Sequence, residues 1–429
     1  MLFSTSEKPT KQRILDAAFS FFKEPRFTSV SLSDIAARAG ITKAAIFRHF
    51  ENKDALFSAM QQYMYDTIAA NLLRVQEECG KDASLSSAES WRRLIKYSAT
   101  LAARHIEFLG YFAFIFINNQ NAEIIFYTEM QKRGINLLGK NASVCISEDG
   151  KHLIIKDQKP FFIVTYIIHT FCFAIVWTIK KAPLRLSPDH VEEFSDTLSD
   201  IIENGLNEEK DCIDRARMEQ IDTLCHLDQS SMPPVNPLFT AFSNVIRNKG
   251  FPGVTVESIA DELGLAKSSL YTYFNNKNEM MVNLVQQELI LLSTTIIERV
   301  KQVQQGPETG YAVMRTEMEF FNGRSAVMPV IAWLEMRGSF MPERNVCEGL
   351  GINTSSLDDI DAFSVRHKIT YGMYFNWVSM ISASICKHSK SHGFSEEQMY
   401  EALKQCFNYI QRGVTSGNIL QSSGGINSK

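Results

Sequence analysis

Basic charge is in short supply in this sequence. Lys and Arg number 44 against 48 Asp and Glu, giving a formal net charge of -4 over 429 residues. A whole-chain electrostatic hold on a polyanion is excluded, so any such contact must come from a local patch. The eight cysteines include no CxxC pair and none with a histidine at zinc-like spacing. That excludes a zinc ribbon or a disulfide framework and predicts reduced thiols in a cytoplasmic protein without a structural metal. No nucleophile elbow, phosphate-binding glycine loop or H-E-x-x-H motif is present. We therefore expect neither an enzyme nor a cofactor, and only a site assembled from distant carboxylates or cysteines stays open. The N-terminal MLFSTSEKPTKQ lacks an apolar core of signal-peptide length. One run, Phe161 to Ile179, has no charged residue and reaches membrane-spanning length. It contains Thr165, His169, Thr170, Cys172 and Thr178, and its later counterpart, His367 to Cys386, carries Lys368, Gly372 and Asn376. The expectation is a buried or subunit-interface helix, with no membrane partner.

What the chain does have is the same stretch twice. Phe27 to Leu56 (FTSVSLSDIAARAGITKAAIFRHFENKDAL) returns as Phe251 to Met280 (FPGVTVESIADELGLAKSSLYTYFNNKNEM), at a constant offset of 224 positions without a gap. Nine of the thirty pairs are identical, among them Ile35/Ile259, Gly40/Gly264, Lys43/Lys267 and Lys53/Lys277. In the first copy, Ile14, Ala17, Ala18, Phe21 and Phe22 fall at helical spacing, and Pro25 stops that helix. Ser31 and Asp34 form an N-cap signature, Gly40 supplies the turn, and Thr42 caps the next helix. That helix turns Ala45, Ile46 and Phe50 inward, and a fourth, long helix follows from about Lys53 to Glu78. The pattern is a helix-turn-helix unit leading into a longer helix. From Lys8 to Leu56 nine basic residues face five acidic ones, whereas Asn236 to Met280 balances four with four.

The predicted fold is all-α. Two tandem units each have a helix-turn-helix domain, residues 1–57 and 236–282, followed by a larger helical domain, residues 58–206 and 283–415. A linker at 207–235 includes a charged, helix-like stretch and the QSSMPPVNP boundary, and the tail at 416–429 reads as disordered. The last helices of the two halves end in parallel fashion, IENGL at Ile202 to Leu206 and IQRGV at Ile410 to Val414. Between Val144 and Ile155, alternation around Asp149-Gly150 fits a hairpin and equally a loop between helices.

ILDAAFSFF (Ile14 to Phe22) followed by SLSDIAARAGITKAAIFRHFENKDAL (Ser31 to Leu56), and VESIADELGLAKSSLYTYFNNKNEM (Val256 to Met280), resemble the TetR family of transcriptional regulators. The resemblance covers about fifty residues of each half. It implies a DNA-binding head on a helical domain that dimerises and takes a small-molecule effector, most often for repression. Two copies in one chain then look like a fused pseudo-dimer. Carried over residue by residue, the DNA-contacting set is Ser31, Thr42, Lys43, Ala44, Phe47, Arg48, His49 and Lys53 in the first head. In the second it is Lys267, Ser268, Tyr271, Thr272, Tyr273 and Lys277. Cations for phosphates and small residues for close approach to a groove support this independently. The copies also depart from the pattern: Phe47 lacks the hydroxyl of the family's usual Tyr, and Ala266 replaces the cap that Thr42 supplies. The second copy lacks the basic arm of Lys8, Lys11 and Arg13 as well. We expect the first head to dominate affinity and the operator to be asymmetric, with half-sites one or more helical turns apart.

Aromatics in the helical domains are the candidate effector lining: Phe112, Phe116, Tyr127, Tyr166, His169 and Phe173 in the first half, Trp333, Tyr371 and Phe375 in the second. Such stripes equally describe a core. Two other readings stay open at this point: a homodimer in which only the N-terminal head reads DNA, and a ligand or protein interaction module without an operator.

Overall fold

The computed structural model describes residues 9–23, 31–79, 88–118, 122–135, 144–146, 153–155, 166, 170, 186, 188–207, 211–249, 254–271, 277–328, 330, 362–364 and 369–414. Apart from two short antiparallel ribbons, the regular elements among them are helical. The first head comprises α1 (Thr10–Ser20), a 3-10 turn (Phe21–Lys23), α2 (Leu32–Ala39) and α3 (Lys43–Phe47). It continues through α4 (Lys53–Cys79) into α5 (Ala88–Arg104), α6 (Ile106–Asn118) and α7 (Ala122–Lys132). After a ribbon of β1 (Val144–Ile146) and β2 (Leu153–Ile155), α8 (Val191–Asn204) closes the first half. The ribbon settles the alternation of Val144 to Ile155 as a hairpin, with Val144 opposite Ile155 and Ile146 opposite Leu153.

The helical run from Ala88 to Asn118 breaks at His105, between α5 and α6. In α6, Gly110 meets the backbone of Phe22, where an added Cβ would lie 2.2 Å from the carbonyl oxygen. Tyr111 beside it donates to the Phe57 carbonyl at 2.7 Å and meets Phe22 edge-on. The first head thereby shares one core with α4, α6 and α7: Ile14, Phe19, Ile35, Ile46, Met60, Met64, Tyr65 and Met130 are buried together.

The segment after the first half is a docked helix. α9 (Arg215–Cys225) starts at an Asp214 cap and buries Met218, Ile221 and Cys225 against the second half. Its outer side chains hold on by charge. Arg217 pairs with Glu308 at 2.7 Å and Arg215 with Glu401 at 2.9 Å. Asp222 accepts from Arg315 at 3.0 Å and from Tyr311 at 2.7 Å. The second head follows as α10 (Pro237–Lys249), α11 (Val256–Leu263) and α12 (Lys267–Tyr271), then α13 (Lys277–Val300) and α14 (Pro307–Gly323). A small ribbon, β3 (Ala362–Ser364) with β4 (Ile369–Thr370), leads into α15 (Tyr371–His392), and α16 (Glu396–Arg412) ends the fold. The sequence carried no clear sign of that second ribbon.

The halves meet through α8 and α16. Leu206 N–H donates to the Ile410 carbonyl at 2.9 Å, and Val414 N–H donates to the Ile202 carbonyl at 2.8 Å. These are the same two positions of IENGL and IQRGV, each bonded to the other, as a two-fold axis requires. Gly205 (φ 72°) and Gly413 (φ 74°) make the crossing possible. A Cβ on Gly205 would sit 2.3 Å from the Gln411 carbonyl oxygen, and one on Gly413 would sit 2.1 Å from that of Glu203. The uncharged run lies outside the described residues except for two positions. Tyr166 is fully buried and donates to the Tyr409 carbonyl at 3.2 Å, and Thr170 accepts from the Trp377 indole at 3.2 Å. Both contacts cross between the halves. Among the described residues, no helix is long and apolar enough to cross a membrane.

Candidate nucleic-acid interface

In the first head each turn of backbone is closed by a local side chain. Ser31 accepts the Asp34 N–H at 3.2 Å while the Asp34 carboxylate accepts the Ser31 N–H at 2.9 Å, the capping box expected from the sequence. Hydrogen bonds from the Ser31 hydroxyl and then from its N–H hold the Asp34 carboxyl below its ordinary value. Gly40 takes the left-handed conformation at φ 67° and ends α2. Arg13 donates to the Ala39 carbonyl at 2.7 Å. This cation, assigned from sequence to a basic arm, thus fastens the C-terminus of α2. Thr42 accepts the Ala45 N–H at 3.2 Å, which leaves its hydroxyl proton to donate outward.

α3 then presents one polar face. Ile46 and Phe50 are buried beneath it, while Lys43, Ala44, Phe47, Arg48 and His49 are exposed. None of the described residues forms an ion pair with Lys43, Arg48 or His49 in the structure. Lys53, half-buried at the start of α4, stands 5.3 Å from the ring centre of Phe57. The sequence-assigned residues thus stand at the starts of successive helices: Ser31 caps α2, Thr42 caps α3, which carries Lys43 to Phe47 with Arg48 and His49 just beyond, and Lys53 opens α4.

The second head has the same backbone with other chemistry. Thr255 and Ser258 form a reciprocal cap at 3.0 and 2.9 Å. The Thr-x-x-Ser spacing was a signal for it in the sequence, but it was not singled out there. Gly264 repeats the left-handed turn at φ 67°. Lys267 and Ser268 are exposed on α12 above the buried Leu270. Lys267 is ion-paired with Glu257 on α11, and the pairing holds that carboxyl below its ordinary value. The residue at the Glu257 position in the first head is Ser33. Tyr271 ends α12 and Lys277 opens α13, with side chains outside the described set, and Thr272 and Tyr273 lie outside the described residues.

Both matches to a family model fall on these heads. Residues 14–60 and 240–284 each match the model described as bacterial regulatory proteins, tetR family. Each head is thus similar to the tetR-type regulators, and the likeness occurs twice in one chain. Over 67 residues it is 39% identical to the HTH-type transcriptional regulator AcrR of Shigella flexneri, covering 16% of this chain and 31% of that protein. Over 51 residues it is 39% identical to the probable acrEF/envCD operon repressor of Escherichia coli (strain K12), covering 12% of this chain and 23% of that protein. A similar match, 38% identical over 53 residues, joins it to the uncharacterized HTH-type regulator YvkB of Bacillus subtilis, covering 12% of this chain and 28% of that protein. The chain thus spans less than a third of each of these relatives. The two family matches end at residues 60 and 284, shortly after the heads.

The described side chains of the candidate effector set fall in two cores. Phe112 packs edge-on against Phe126 in the first head's core, while Tyr127 belongs to the larger core that joins the halves. Tyr166 and Phe375 are buried in that larger core as well. Phe116 and Tyr371 lie on described helices with side chains outside the described set, and His169, Phe173 and Trp333 lie outside the described residues. No group of His, Cys, Asp or Glu among the described residues is arranged to hold a metal ion.

Proposed function

We propose that this chain is a sequence-specific, DNA-binding transcriptional repressor that acts as a single-chain pseudo-dimer in the cytoplasm. The reciprocal pair of backbone bonds between Leu206 and Ile410 and between Val414 and Ile202 carries the reading. It is the arrangement expected of an isologous contact between two subunits, formed here within one chain and with the self-complementary surface already occupied. Two heads on one such frame can address two half-sites of a duplex. Repression is supported by the likeness to the probable operon repressor of Escherichia coli. A small-molecule effector entering the helical domains, lined by members of the aromatic set, completes the reading.

The deciding measurement is the mass of the specific DNA complex, by native mass spectrometry, on a duplex selected from a random pool with the full chain. One chain per duplex is the expected stoichiometry. Two chains per duplex would instead favour a homodimer reading through its N-terminal heads, and no enriched sequence would leave a module without an operator.

A further inference from the structure

One exposed side chain on the recognition face is not accounted for by cation–phosphate contacts. Phe47 is 48% exposed, one of four large hydrophobic residues so placed among the described residues. The helical repeat puts Lys43, Ala44, Phe47 and Arg48 on one outer face, with Ile46 turned into the core. What covers this face must suit the cations Lys43 and Arg48, so the occupant is polyanionic. It must also offer apolar matter to a phenyl ring that has no hydrogen to donate to a phosphate. A helix in the major groove of duplex DNA finds that apolar matter in the C5-methyl group of thymine. Ala44, small and on the same face, leaves room for the backbone to approach.

We propose that Phe47 is a specificity-determining residue that reads thymine, its ring packing on the C5-methyl of a thymine in the half-site bound by the first head. The inference rests on the DNA-binding reading above and adds the base to it. It also separates the two heads. Tyr271, at the matching position, carries a hydroxyl that can bond a phosphate, so the second head has no such requirement for thymine.

The test uses the full chain and a duplex selected from a random pool, with each thymine replaced in turn by deoxyuridine, which lacks only that methyl. For the unaltered protein, one position in the first half-site should weaken binding about fourfold, the effect of burying one methyl-sized group. In Phe47→Ala the same replacement should have no effect, and in Phe47→Leu, which keeps an apolar tip, it should still weaken binding. The salt dependence of affinity should be the same in Phe47→Ala as in the parent, because no phosphate contact is lost. A deoxyuridine scan without any sensitive position overturns the inference. So does a sensitive position that persists in Phe47→Ala, or a drop in salt slope of about one in that variant. If the pool yields no enriched duplex at all, the DNA-binding reading itself fails, and the two failures are distinguishable.

Discussion

Lys43 and Lys267 hold the same position in the two heads, yet they meet different neighbours. Lys43 opens α3 without an ion-pair partner among the described residues, and Ser33 stands at the position of Glu257, whereas Lys267 opens α12 and is bound by Glu257. The backbones around them are near copies, with both turns made by a glycine at φ 67° and both second helices started by a reciprocal cap. Duplication has thus kept the local geometry, which the fold needs, while the charge has diverged. The clasp between the halves behaves in the opposite way: its two sides remain equivalent in geometry and in hydrogen bonding. Frame and heads have been held to different standards of symmetry.

The largest effects should come from breaking the symmetric part. Gly205→Ala and Gly413→Ala each drive a Cβ into a carbonyl oxygen and place it at positive φ. Each should cost about 3 kcal/mol or more in denaturant unfolding, and the two losses should be alike. A large loss at one glycine with none at the other would show that the crossing is not equivalent from its two sides. A comparable effect separates the buried carboxylates of the halves. Glu203 receives a bidentate Arg92 at 2.7 Å, while Glu317 on α14 is met by the hydroxyls of Ser379 and Ser382. Burial pushes the Glu317 carboxyl up to about 7 from an ordinary 4.5. The folded chain then keeps a proton that the unfolded chain releases. The resulting stability is complete below pH 4.5, declines as pH rises towards 7, and is gone above it, a change of about 3 kcal/mol. Glu317→Gln should flatten that slope in denaturant titrations between pH 5 and 8. An unchanged slope would place the titrating group elsewhere.

Much of the heads was legible in the sequence because their signals are local. Ser31, Gly40, Thr42 and the helical spacing of Ile35, Ile46 and Phe50 act within a few residues of one another, and the structure places them as caps, turn and core. What was less legible depends on contacts between distant positions. Arg13 looks like one more cation of a basic arm until α2 brings the Ala39 carbonyl to it from 26 residues away. Gly110, just past the break at His105, lies against the backbone of Phe22, a contact that no periodicity within residues 91–110 encodes. The segment beyond Asn207 showed its helical pattern, but its docking depends on Glu308, Arg315 and Glu401, far along the chain. At the candidate site, the residue types were readable and the partner of Lys267 was not. Glu257 and Lys267 are ten positions apart, and only the turn at Gly264 brings them together.

Electrostatics sharpens the comparison of the heads more gently. Lys43→Ala should weaken binding to a selected duplex about tenfold and lower the salt slope by about one, the signature of one lost phosphate contact. Lys267→Ala should cost about twofold with a slope change well below one, because Glu257 already offsets that charge. Titrations at several salt concentrations give both quantities. Equal slope changes would mean that DNA strips Glu257 from Lys267, and the two lysines would then be equivalent on DNA.

The smallest effect is the most pointed, since it converts one head towards the other at a single position. Glu257→Ser installs the residue that the first head has at this site, removes a negative charge from the proposed DNA face and releases Lys267. An exposed ion pair of this kind contributes little to folding, so the unfolding curve should hardly move. Affinity should nevertheless rise about twofold to threefold, with a steeper salt slope, because the released lysine gains a phosphate. The gain must come through Lys267 if the pairing is what restrains the second head. In Lys267→Ala, the further change Glu257→Ser should therefore yield a smaller rise, the part due to the removed charge alone. If the rise is the same with and without Lys267, Glu257 acts by simple repulsion, and the contact between α11 and α12 has no part in the difference between the heads.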